Sequence, residues 1–131
     1  MYTIRIQTAS HYPINRKQIT SAIEKVLQAR LVKDGEVSII VGGDRQMKKL
    51  NKQYRNIDDT TDVLSFPQND PSQQMKPFSS PPDNVLYLGD IIVSYPQVIK
   101  EAAHDHMLVD DKILQLILHG LDHLMGIHHP E

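Results

Sequence analysis

Residues 110–129, DDKILQLILHGLDHLMGIHH, dictate how this chain folds. Ile113, Leu114, Leu116, Ile117, Leu118, Leu121 and Leu124 spread apolar side chains over nearly every side of one helix. Such a helix is stable only when other elements surround it, so it predicts the core. Asp110 is expected to cap its N-terminus and Gly126 to supply the left-handed residue that ends it. The same helix carries His119 and His123. At about 100° per residue the two fall on one face, about 6 Å apart at Cβ, and a buried helix holds both rings rigidly.

Past Gly126 the chain folds back, bringing a further imidazole toward the same point. His129 is the natural third ligand and His128 the alternative. Three neutral imidazoles suit one Zn2+ ion per chain and leave its fourth position to water, the arrangement of a catalytic site. Copper, nickel and iron also accept imidazole, so the donors alone do not select zinc. A closed structural site would want a fourth ligand, usually cysteine, and the chain has no cysteine. Asp122 lies one helical step from the histidine face and is expected either to hydrogen-bond a ligand from behind or to close the site. The order of His119, His123, Gly126 and His129 matches the long zincin motif at every metal-binding place. A zincin protease has glutamate directly after the first histidine as its general base; here that residue is Gly120, which argues against peptidase chemistry.

Upstream, Tyr2, Ile4 and Ile6 alternate with Thr3, Arg5 and Gln7, predicting a half-exposed strand over residues 2–8. Asn15 with Gln18 resembles a capping pair, and Ile19, Ala22, Ile23, Val26 and Ala29 make an apolar helical stripe to about Leu31. VSIIV (37–41) reads as a strand covered on both faces, DVLSF (62–66) as a short strand, and VLYLGDIIVS (85–94) as another, with Gly89 marking a bulge or a close backbone approach. Between the last two, residues 67–84 are rich in proline, serine and polar side chains, and predict a long loop. Tyr95 to His106 suits a helix. The order β, α, β, α, β, loop, β, α, α predicts an α+β protein, a mixed β-sheet packed with helices and a zincin-like metal helix at its C-terminus.

A length of 131 residues fits a single domain over 1–131, and 40% hydrophobic with 23% charged residues is ordinary for a soluble globular protein. The absence of cysteine excludes a disulfide-linked partner and is compatible with a reducing compartment. No apolar run approaches the roughly 20 residues that span a bilayer, and MYTIRIQTAS lacks the layout of a signal peptide; a cytoplasmic protein with no membrane partner is expected. A net charge of -2 gives no global pull toward nucleic acid, so any such contact must be local. One basic stripe exists. In a helix capped by Asp44, Arg45, Lys48, Lys49 and Lys52 recur on one face with Arg55 near its edge, while Met47, Leu50 and Tyr54 form the opposite, anchoring face.

Three blocks in order, LNKQYRNIDDTTDVLSFP (50–67), LGDIIVS (88–94) and HGLDHLMGIHH (119–129), resemble the motifs of the YbeY endoribonucleases, also described as rRNA maturation factors. The resemblance implies a zinc-dependent endoribonuclease specific for single-stranded RNA. Its expected partners are the rRNA precursor and the small ribosomal subunit, in 16S rRNA 3′-end maturation and ribosome quality control. It puts the metal ligands on His119, His123 and His129, the functional arginine on Arg55, and site-shaping residues on Thr61, Asp62 and Ser65. Arg45, Lys48, Lys49, Lys52 and Arg55 are the expected RNA contacts. The chain departs from the family at Asp122, where leucine is usual, and at Ile127 and His128, where tyrosine and aspartate are usual. Two alternatives follow from the same residues. One is a ribosome-assembly protein whose metal is structural and whose basic stripe does the binding; the other is a zincin-like peptidase or amidase, which Gly120 disfavours.

Overall fold

The computed structural model describes residues 2–9, 12–30, 32, 34–68 and 86–126. Among these residues four strands and four helices follow one another: β1 (Tyr2–Thr8), α1 (Arg16–Ala29), β2 (Gly35–Gly42), α2 (Asp44–Arg55), β3 (Val63–Pro67), β4 (Leu86–Ser94), α3 (Tyr95–His104) and α4 (Val109–Leu124). The strands form one mixed sheet in the order β1-β2-β4-β3. β1 pairs parallel to β2, β2 parallel to β4, and β3 antiparallel to β4. This is the α+β architecture the sequence predicts.

α4 is the core helix. Ile113, Leu116, Ile117, Leu121 and Leu124 are buried together with Ile19, Ile23 and Leu27 of α1, Val37, Ile39 and Val41 of β2, and Ile91 and Val93 of β4. A smaller cluster covers the other face of the sheet, where Met47 of α2 meets Leu64 and Ile92. β2 alternates buried with half-buried from Gly35 to Val41, its second face meeting, among the described residues, the small cluster around Met47 of α2. β1 alternates half-buried with exposed, as its pattern predicts. Among the described strands β3 lies at the sheet edge, where Pro67, which has no N–H to donate, is tolerated. Apart from Pro67 and Gln68, the segment expected to be a long loop lies outside the described residues.

Gly89 combines both expected roles. Glu36 pairs with Tyr87 and Val37 with Gly89, so Leu88 is the extra residue of a β-bulge. Gly89 itself takes φ +139°, and a Cβ there would stand 2.2 Å from the carbonyl oxygen of Phe66. Only glycine permits β3 to approach so closely.

Several local expectations need correcting. α2 begins at Asp44 with Gly43 as its cap, and α4 begins at Val109 with Leu108 as its cap. The backbone bonds Met47 N–H to Gly43 O and Lys112 N–H to Leu108 O close these first turns, which leaves Asp44 and Asp110 inside them as charges favourable to the helix dipole. α3 stops at His104, since His106 adopts φ 56° and breaks the helix. Tyr54 lies on the Met47 side of α2, as expected, and its ring rests on Phe66, but one residue before the helix ends it stays 54% exposed. Asn51 is buried, its Nδ2 donating to Asp59 O at 2.9 Å.

Candidate functional site

A cleft of about 720 Å³ opens where α4 passes the edge strand β3. Its lining comes from three places: Arg55 at the end of α2, Thr61 to Ser65 at the start of β3, and Gln115, Leu116, His119, Gly120 and His123 on α4. His119 and His123 share one face, with ring centroids 4.8 Å apart and planes tilted by 49°. His119 is exposed and His123 half-buried. Below them α4 sits tightly on the sheet, because at Gly120 a Cβ would be 3.0 Å from Ile91 Cγ2. That close packing gives the absence of a glutamate after the first histidine a structural cause.

Two imidazoles one helical turn apart, both on the cleft wall, fit two corners of a zinc coordination sphere. The proposed third ligand, His129, and its alternative, His128, lie outside the described residues, and among the described residues no group of three potential ligands converges on one point. Gly126 does adopt φ +80°, and its N–H donates to His123 O at 3.1 Å, so α4 ends where the spacing predicts. Asp122 is not part of the cleft lining; one of its oxygens lies 3.7 Å from the Arg30 guanidinium beyond α1.

The other wall is positioned by hydrogen bonds. Asn56 takes the left-handed conformation directly after Arg55, its N–H donating to Lys52 O and that of Ile57 to Asn51 O, which turns the chain back toward β3. Asn51 holds this turn through Asp59. Asp44 gathers it from the other side: one carboxylate oxygen accepts from the Thr60 hydroxyl at 3.0 Å, the Ser94 hydroxyl at 2.8 Å and Gln97 Nε2 at 3.0 Å. Burial pushes the Asp44 pKa up, but these hydrogen bonds and the charge of Lys100 outweigh it and hold the carboxyl below its ordinary range. Asp62 accepts from its neighbour's Val63 N–H at 2.7 Å, while its carbonyl accepts from Ser94 N–H at 2.9 Å. Thr61 and Asp62 thus take fixed places on the cleft rim.

Behind Asp62 stands a group of charges that local sequence pattern does not reveal. Glu101 of α3 has its carboxyl pushed above the ordinary glutamate value, first by burial and then by the charge and hydrogen bond of Asp62. Lys112 is buried, its Nζ donating to Asp105 Oδ2 at 2.6 Å and to Gln115 Oε1 at 2.8 Å, and the bond to Asp105 holds its ammonium above the ordinary range. Gln115 lines the cleft, so the buried lysine orients one of its wall residues. Lys112 looks like a surface residue in sequence; only packing places it inward.

Of the basic stripe, Arg55 alone lines the cleft. Arg45, Lys48, Lys49 and Lys52 are exposed along α2, with Lys48 4.0 Å from Asp58.

Fold and site together define a class: a mixed-sheet α+β protein whose core helix presents paired imidazoles to an arginine-bearing cleft at the sheet edge. A sequence profile of the endoribonuclease YbeY family matches residues 4–131. Proteins named endoribonuclease YbeY are similar to this chain in Dehalococcoides mccartyi strain BAV1, at 38% identity over 73% of this chain and 62% of that one. Others occur in Roseiflexus sp. RS-1, at 35% over 97% and 79%, and in Chloroflexus aurantiacus, at 33% over 100% and 84%. The chain belongs to the endoribonuclease YbeY family. A solution structure from Thermotoga maritima shares the fold, with a TM-score of 0.60 and 23% identity over 98% of this chain and 75% of that one. No helix among the described residues is long and apolar enough to cross a membrane.

Proposed function

We propose that this chain is a zinc-dependent endoribonuclease acting on single-stranded RNA, in 16S rRNA 3′-end maturation and ribosome quality control in the cytoplasm. The observation that carries this reading is the sharing of one cleft by Arg55, His119 and His123 in a chain whose named relatives are endoribonucleases. His119, His123 and His129 would hold the ion. A bound zinc supplies a Lewis-acid charge that activates water near neutral pH or polarises a phosphoryl oxygen.

The chain's own residues do the rest. The planar fork of Arg55 matches two phosphate oxygens, and in a partly enclosed cleft it steadies charge that grows as the phosphodiester is attacked. Asn51, Asn56 and Asp44 keep the Arg55 turn and the β3 rim in register, beside the cleft that Arg55 shares with the imidazoles. The exposed Arg45, Lys48, Lys49 and Lys52, off the cleft, suit docking on the rRNA backbone of the small subunit.

The test is cleavage of a labelled single-stranded RNA by the purified protein. Cleavage that stops with chelator, returns with zinc and is lost in His119→Ala supports the reading. Cleavage indifferent to metal removal and to that substitution overturns it.

A further inference from the structure

Tyr54 is the feature of α2 that the proposed chemistry leaves unused. Helix patterning puts it on the anchoring side, yet it is 54% exposed. Its ring leans on Phe66 of β3, centroids 5.0 Å apart and tilted by 57°. Each member of this pair is the immediate chain neighbour of a cleft residue, Tyr54 of Arg55 and Phe66 of Ser65. Ile57, 42% exposed, lies just past the end of the helix. An exposed aromatic ring backed by Phe66 therefore neighbours Arg55 in the chain, and the outer side of the same helix carries Arg45, Lys48, Lys49 and Lys52.

We infer that Tyr54 is a stacking platform for an unpaired nucleobase next to the phosphate held by Arg55. A solvated aromatic ring beside a cationic track is the arrangement by which proteins bind single strands without strong sequence preference, because every base has a π-face. Phe66 braces the ring from beneath, which fixes its angle and lowers the entropy lost when a base settles on it. Single-strand selectivity thereby gains a physical origin. A base paired within a duplex is already stacked and offers no free face, whereas an unpaired base can settle on the ring. This role rests on the RNA reading above and adds a positioning residue to it.

The chain has no tryptophan, so Tyr54→Trp introduces a lone fluorophore at the site. The zinc-loaded variant is rapidly mixed with a single-stranded oligo(A) RNA of about 12 nucleotides, within the usual site size for one domain. Controls are a blunt duplex of the same length and inorganic polyphosphate, and binding is followed in parallel by anisotropy of end-labelled RNA. Quenching by the single strand, and little by duplex or polyphosphate, is expected. Tyr54→Ala should weaken single-strand binding about fivefold to a hundredfold, raising KM with little change in kcat, and Tyr54→Phe should restore it. If RNA binds by anisotropy while tryptophan emission stays unchanged, or if duplex and polyphosphate quench equally, Tyr54 is no base platform, although the RNA reading survives. Failure of unsubstituted protein to bind any RNA sinks that reading instead, and this inference with it.

Discussion

Substituting Gly89 with alanine tests how the cleft wall is held. Gly89 sits at φ +139°, a region that costs an L-residue about 1–3 kcal/mol. The new Cβ would also stand 2.2 Å from Phe66 O, 3.0 Å from Leu124 Cδ2 and 3.1 Å from Gln68 N. The first approach is about 1 Å inside the closest ordinary C···O distance, and its partner is backbone that cannot rotate away. Relief requires β3 to move off β4, an overpacking cost of about 1–3 kcal/mol more. The expected loss is about 2–6 kcal/mol, a large part of a small domain's roughly 5–15 kcal/mol. Gly126→Ala is the internal control. It too has positive φ, +80°, but among the described residues its Cβ would meet nothing within 4 Å, so it reports the strain cost. Urea unfolding of both variants separates the two costs: the Gly89 midpoint should fall by at least about 1 M and well below that of the Gly126 variant. Equal midpoints, or a Gly89 variant within about 0.5 kcal/mol of the parent, would refute the close approach as the reason for glycine.

Three further outcomes are expected. Arg55→Ala should lower kcat on single-stranded RNA by about 10²–10³, and Arg55→Lys should not restore it, because a point charge lacks the fork; steady-state kinetics checks both. Glu101 binds its proton more tightly in the folded protein than in the unfolded chain, so stability should fall as pH rises from the ordinary 4.5 through the raised folded value. Asp44, held low, works in the opposite sense and costs stability only as pH drops below 3.8. Thermal melts across pH should therefore show a decline above 4.5 that Glu101→Gln removes, and an unchanged slope in that variant would contradict the assignment. Replacing Lys48, Lys49 and Lys52 with alanine should reduce the dependence of log affinity on log salt by about 0.7 for each RNA phosphate that is no longer neutralised, measured by RNA anisotropy at several salt concentrations. A slope that does not change removes the stripe from the interface.

Periodicity and spacing made the elements of this fold legible. Apolar residues on nearly every side of α4 mark a helix that must lie at the core, and it does. Gly89 signals either a bulge or a close approach, and both occur, because the same missing Cβ serves the ladder and β3. The spacing of His119 and His123 predicts neighbouring rings on one face, found 4.8 Å apart. What did not follow from local pattern was set by tertiary packing. Tyr54 reads as an anchor and does rest on Phe66, but a helical wheel cannot show that more than half of it stays exposed at the end of the helix. Nothing in the local pattern marks Lys112 as buried, because its partner, Asp105, is seven residues away across the α3–α4 turn. Asp44 and Asp110 miss their expected capping places by one and two residues, since backbone bonds to Gly43 and Leu108 close the first turns without them.

The proposed chemistry depends on one ion held by imidazoles of the C-terminal segment, and elemental analysis of native protein beside four variants puts that dependence to the proof. One zinc per chain is expected, lost in His119→Ala, His123→Ala and His129→Ala and retained in His128→Ala. Full zinc in both the His119→Ala and His123→Ala proteins, each still folded by circular dichroism, would contradict it.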